Sequence, residues 1–218
     1  MNIDEYFDEI YVINLDDRQD RWRSVTSELR KANINKYKRL PAVKINAQDF
    51  QNLPSTAYDR FQEKDTGYIE GSMGCKLSHL ACIKEAKANN YDKILILEDD
   101  VIITEDANLK FNKVLTQLNK WDMLYLGGRY KNGGFYANGS KWEQEQVSDN
   151  LLKLKGAMLA SSYGLSKNIY DTILNNAFQS GQEMDIFYYA MHQFRKDYTY
   201  YGAIPEIMVQ LETDSDIR

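Results

Sequence analysis

The sequence predicts an α/β fold of three layers around a mostly parallel central sheet. Three observations lead there. Short apolar runs alternate with segments of helical spacing through the first half of the chain. One run, residues 94–97, is wholly aliphatic, the pattern of a strand buried on both faces in a parallel sheet. Polar and acidic clusters follow directly after the runs, at the strand ends where such sheets bind ligands.

Residues 10–15 (IYVINL) read as a buried strand. Asp16 and Asp17 then precede Trp22, Val25 and Leu29 at helical spacing, so an acidic cap opens a helix. Residues 38–46 read as a second strand, with Pro41 marking an edge or a start. Residues 48–68 are polar and weakly patterned, a loop with short helices. Gly71 and Gly74 lead into a helix through Asn90, with Leu77, Leu80 and Ala81 on its core face. Phe111, Val114, Leu115 and Leu118 mark a further helix, and residues 122–126 another strand. Residues 127–149 are rich in Gly, Asn and charge and read as a loop or hairpin. Residues 151–165 are extended. Ser166 caps a helix carrying Ile169, Ile173 and Ala177, a last helix covers 184–194, and residues 198–210 read as a strand.

A chain of 218 residues holds one good core, so one domain over residues 1–218 is expected. The formal net charge of -5 argues against nucleic acid or an anionic membrane as partner. No apolar run has the length of a membrane span. Residues 1–9 carry four acids and no basic leader region, so a cytoplasmic location is expected. Cys75 and Cys82 on one helix lie about 10 Å apart along its axis, too far for a disulfide. Only His79 and His192 are available to join them, which sets a structural zinc aside.

Five constellations carry possible chemistry, and each also has a plainer reading. Glu98, Asp99 and Asp100 follow a buried strand with no base among them. Acids packed so closely raise one another's pKa values, and a divalent cation removes that cost. The plainer reading is a solvated turn capping the next helix. Asn14 through Arg21 follow the first strand at a helix start, where Arg18 and Arg21 share a face suited to phosphate, or else belong to a surface network of ion pairs. Gly71, Gly74, Ser78 and His79 suit close backbone approach to a ligand, or a structural histidine. Glu183 and Asp185 open an aromatic-rich helix, as dipole-stabilised acids or as a general base. Asp214, Ser215 and Asp216 close the chain, as a frayed acidic end or a lid over bound substrate.

Taken in order, these segments resemble glycosyltransferase family 25. The opening IYVINLDDRQDRW is similar to that family's VINLxxRxxR segment, Ala47-Gln48-Asp49 to its Ala-x-Asp-Gly, and GSMGCKLSHL to its GExGCxxSHx motif. ILILEDDV matches its Leu-Glu-Asp-Asp-Val, and QLETDSDI resembles its closing Gln and Ser-Asp-Ile. Phe50 stands where the family has Gly, and Ser72 where it has Glu.

The resemblance implies a GT-A-type fold and inverting, metal-dependent transfer of a hexose from a UDP-sugar, galactose or glucose first, to a hydroxyl of a glycan or protein. It implies manganese or magnesium at Glu98 and Asp100 with Asp99 close by, and Asp216 completing the shell. Asn14, Arg18, Arg21, Asp49, Ser78 and His79 become donor-site candidates, and Asp185 the candidate base. Two other classes remain open. A nucleotidyltransferase or metal phosphohydrolase would need further basic residues near the acids, and no P-loop is present. A non-catalytic nucleotide-sugar or carbohydrate-binding module would keep the fold without a working base.

Overall fold

The computed structural model describes residues 1–57, 64–130 and 143–211. The elements in order are α1 (Ile3–Tyr6), β1 (Glu9–Asn14), α2 (Gln19–Lys31), β2 (Lys38–Pro41), a 3-10 helix (Ala47–Asn52) and α3 (Thr66–Ala88). Then come β3 (Lys93–Glu98), β4 (Val101–Ile103), α4 (Ala107–Leu115), β5 (Met123–Tyr125), β6 (Glu145–Ser148) and β7 (Leu151–Lys153). The chain continues through β8 (Ser162–Ser166), α5 (Lys167–Asn176), α6 (Met184–Phe194), β9 (Tyr200–Ala203) and β10 (Met208–Gln210).

Eight strands form one sheet in the order β2-β1-β3-β8-β5-β9-β7-β6. β2, β1 and β3 pair in parallel, as do β5 and β9, while β8 and β7 run against their neighbours. Strand alternation divides the core into two layers. Tyr11, Ile94, Ile96 and Tyr125 face α3, α5 and α6, where they meet Leu80, Ile83, Ile173, Phe187 and Tyr188. Ile10, Val12, Leu95, Leu97 and Leu124 face the other way, onto Val25, Leu29, Phe111 and Val114 of α2 and α4. This is the three-layer arrangement that the alternating pattern predicts. Residues 94–97 are buried on both faces, as expected of an uninterrupted aliphatic strand.

Several boundaries differ from the sequence reading, each for a local reason. α3 does not start after the glycines. It starts at Thr66, where the Asp65 carboxylate accepts from the Tyr68 amide as an N-cap, so Gly71 and Gly74 lie inside the helix. β2 stops at Pro41, which lacks the N–H to extend an edge ladder. The extended stretch 151–165 is broken between β7 and β8. Residues 198–210 form two strands, because the chain turns at Pro205 and β10 leaves the main sheet to pair with β4. The loop candidate at 127–149 carries β6 at its far end, and its residues 131–142 lie outside the described part.

Two polar side chains in the core were not anticipated. Lys76 is fully buried and its Nζ donates to the Ala177 carbonyl at 2.7 Å and to Ser180 Oγ at 3.2 Å, pinning α3 to the end of α5. His192 on α6 lies edge-on to Tyr200 at 4.5 Å and to Tyr125 at 5.7 Å. Neither of its ring nitrogens has a hydrogen-bond partner among the described residues.

Burial therefore holds His192 neutral, with its pKa pushed down to about 3. Below about pH 6.5 the unfolded chain takes up a proton that the folded state refuses, so this group withdraws stability as pH falls toward 3. The contribution is about 1.4 kcal/mol per pH unit within that window. His192→Phe should flatten the pH dependence of the urea midpoint between pH 6.5 and 4 relative to wild type. Parallel curves for the two proteins would show that the imidazole titrates freely in the fold.

Candidate active site

The parallel register of β1 with β3 sets the site. Ile13 lies level with Glu98, so Asn14 and Asp99 emerge side by side at the carboxyl edge of the sheet. Strand alternation then sends successive acids to opposite layers. Glu98 follows Ile94 and Ile96 toward α3, while Asp99 follows Leu95 and Leu97 toward α2.

On the α2 side, Asp99 is clamped. Asn14 Nδ2 donates to its Oδ2 at 2.6 Å, and Arg21 approaches its Oδ1 at 3.3 Å. Asn14 is almost wholly buried and its amide is committed elsewhere as well. It also donates to the Arg18 carbonyl at 3.0 Å and accepts from Arg39 Nε at 2.9 Å. Arg18 is the N-cap residue of α2 and its guanidinium pairs with exposed Asp20. Burial raises the Asp99 pKa, opposed by the Asn14 hydrogen bond and by Arg21.

On the α3 side, Glu98 Oε1 meets His79 Nε2 at 3.2 Å and the Cys75 thiol at 3.6 Å. His79 is fully buried, and its Nδ1 lies 2.7 Å from the Tyr163 hydroxyl, which in turn lies 3.0 Å from that of Tyr188. A continuous hydrogen-bonded chain thus runs from the core aromatics to the Glu98 carboxylate.

Asp100 sits at the turn between β3 and β4. Its Oδ2 accepts from Gln210 Nε2 at 3.1 Å, and the Leu211 amide donates to its carbonyl at 2.7 Å, so β10 holds it in place. Its Oδ1 is buried without a partner among the described residues. Burial, and then the charge of Glu98, push its pKa up to about 6. Asp185 in the first turn of α6 completes the acidic cleft, within electrostatic reach of Glu98. The Ile186 amide donates to its carboxylate at 2.8 Å, and burial raises its pKa. Leu159 has a left-handed backbone, φ 71, which a branched side chain rarely adopts. Gly181, φ 64, makes the turn into α6 against the backbone of Thr56 and Ala57.

Some predicted residues lie in the frame rather than the cleft. Ser78 is fully buried and its hydroxyl donates to the Gly74 carbonyl at 2.7 Å while accepting the Val43 amide at 2.8 Å. A Cβ on Gly74 would stand 2.6 Å from the Val43 carbonyl oxygen. Gly74 and Ser78 together clasp the segment after β2 onto α3, so the close approach that these residues permit is to protein backbone. Asp49 caps its own turn, accepting from the Asn46 amide at 2.9 Å at the start of the 3-10 helix. Asp216, expected in the metal shell, and the lid expected of the tail lie outside the described residues. Cys75, Tyr163 and Gln210 were missed. Gln210 carried a signal as the closing Gln of the tail motif, and Cys75 as the Cys of the GExGCxxSHx motif.

The profile of Glycosyltransferase family 25 (LPS biosynthesis protein) matches residues 7–175. Procollagen galactosyltransferase 2 of Mus musculus is 29% identical over 132 residues, 56% of this chain and 21% of its own length. Procollagen galactosyltransferase 1-A of Xenopus laevis is 30% identical over 130 residues, covering 56% and 21%. The probable inactive glycosyltransferase 25 family member 3 of Rattus norvegicus is 29% identical over 135 residues, covering 58% and 23%. The matched region is thus less than a quarter of each of these relatives. Among solved structures, a glycosyltransferase involved in the glycosylation of the major capsid of PBCV-1 aligns over 95% of this chain and 94% of its own. Its identity to this chain is 12% and its TM-score 0.49.

The clasp makes a stability prediction. Gly74→Ala forces the added methyl against a backbone carbonyl and should cost about 1–3 kcal/mol in urea unfolding. Ser78→Ala, which strands the Val43 amide, should cost a similar amount. Unchanged midpoints in both variants would mean that residues 42–45 are not held by α3.

Proposed function

Because this chain belongs to glycosyltransferase family 25, we propose that it transfers a hexose from a UDP-sugar to a hydroxyl of a glycan or protein acceptor, with inversion and with a divalent metal. The observation that carries this reading is the acidic end of β3. Glu98 lies within electrostatic reach of both Asp100 and Asp185, and Asp100 keeps a buried oxygen without a partner among the described residues. That donor set suits a hard, oxygen-preferring cation such as manganese or magnesium, held by Glu98 and Asp100. When bound, such an ion offsets the repulsion among the acids and stabilises the charge that builds on the leaving diphosphate.

The chain's own residues do the rest. Asn14 and Arg21 fix Asp99, which fixes the turn that presents Asp100. Gln210 orients Asp100 from the other side. Asp185 is the candidate base. Its raised proton affinity suits it to take the proton of the acceptor hydroxyl, whose oxygen attacks the anomeric carbon as the bond to the diphosphate oxygen breaks. The UDP leaves with the bonding electron pair. The names of the galactosyltransferase relatives favour UDP-galactose, with UDP-glucose next.

Relatives named as inactive favour a second reading, a module of the same fold that binds a nucleotide sugar without turning it over. UDP release from a panel of UDP-sugars with manganese separates the two. The transferase reading predicts metal-dependent release from one donor, lowered about 10²–10⁴-fold by Asp185→Asn with UDP affinity kept. Binding without release supports the second reading. Equal rates in wild type and Asp185→Asn would remove Asp185 as the base.

A further inference from the structure

Cys75 and His79 stand four residues apart on α3, one above the other on the face that meets the end of β3. There they converge with Glu98, and the ligand atoms of the three residues all lie within 4.8 Å of one another. Among the described residues this is the one group of three His, Cys, Asp or Glu side chains that come together so closely. Cys82 and His192 take no part in it. The zinc that cysteine and histidine counting sets aside is thus reopened by a carboxylate that only the fold brings in.

We propose that Cys75, His79 and Glu98 form a three-ligand site for a thiophilic divalent cation of the zinc class. The separations fit. Tetrahedral zinc with ordinary Zn–S, Zn–N and Zn–O bonds puts its ligand atoms about 3.3–3.6 Å apart. Here the thiol sulfur lies 3.6 Å, and His79 Nε2 3.2 Å, from the same Glu98 oxygen. Three protein ligands leave the fourth position for water or a substrate atom.

The surroundings also fit. A ligating histidine needs its other nitrogen anchored, and Nδ1 lies 2.7 Å from the Tyr163 hydroxyl. With Nε2 on a cation, Nδ1–H donates to the Tyr163 oxygen and the Tyr163 O–H donates to Tyr188 at 3.0 Å, so both His79 and Tyr163 keep their partners. Asp100 and Asp185 add negative charge beside the site. Burial, and then the charges of Glu98, Asp185 and Asp100, push the Cys75 thiol up, so without a cation it is a poor nucleophile. Binding releases the thiol proton to solvent. It also engages the Glu98 oxygen, which ties the site to the donor cleft and makes zinc a competitor of a catalytic ion there.

The site is read on the whole chain without nucleotide, so it does not depend on the transferase reading. Cobalt(II) serves as the probe, titrated without oxygen. We expect one equivalent to give the near-ultraviolet thiolate-to-cobalt charge-transfer band with tetrahedral visible bands, and zinc to abolish both. Cys75→Ser should remove the band and weaken zinc at least about tenfold. Cys82→Ala should keep the band. Tyr163→Phe should keep it with affinity lowered about 10–100-fold. Asp100→Ala, which strips the donor cleft of a carboxylate, should also keep it, so loss of donor binding and loss of this site are read separately. Absence of the band in wild type, or its survival in Cys75→Ser, overturns the proposal.

Discussion

The parallel pairing of β1 with β3 is the constraint on which the site depends. It brings two strand ends to the same edge, so Asn14 reaches Asp99 across 2.6 Å with no loop between them. Everything else at the cleft is arranged around that contact. Arg21 arrives from the first turns of α2, which begins five residues after β1 ends. Gln210 arrives from β10, which leaves the main sheet to pair with β4 directly after the acids. His79 and Cys75 arrive from the helix that packs on the opposite face. A one-residue slip of β1 against β3 would exchange the two faces of β1 and take Asn14 away from Asp99.

The cleft is costly to the fold. Asp99, Asp100 and Asp185 all have raised pKa values, with burial as the first cause. A carboxylate whose folded pKa is raised opposes folding at neutral pH, where it is ionised in a site that disfavours charge. Such groups persist where their charge is used. The left-handed backbone of Leu159 adds a second local cost. A divalent cation shared by these acids would offset the first cost, which is why metal and donor belong together in this account.

The layers and the placement of the acids at a strand end were legible in the sequence because they rest on short-range pattern. The aliphatic run at 94–97, the acids directly after it, and the 184–194 helix all appear where periodicity puts them. What was not legible depends on long-range contact. Ser78 and His79 look exposed behind two glycines, yet α3 begins five residues before Gly71, behind an acidic cap, and buries them both. Gly74 is small because the Val43 carbonyl passes over it, which no local pattern announces. Cys75 lies in a recognised motif, but its partners are out of sight of the sequence. Its neighbours His79 and Glu98 come from one helical turn away and from a strand 23 residues on. Residues 198–210 look continuous, and only pairing with β4 shows that the last strand leaves the sheet to hold Asp100.

The central claim is that the end of β3 binds a nucleotide sugar through a divalent ion. Thermal unfolding with UDP-galactose, with and without manganese, on wild type and Asp100→Ala tests it most directly. Ligand that binds only the folded state raises the melting temperature. The account predicts a rise in wild type that requires manganese and is lost in Asp100→Ala. An equal rise without metal, or one that survives in Asp100→Ala, would contradict it.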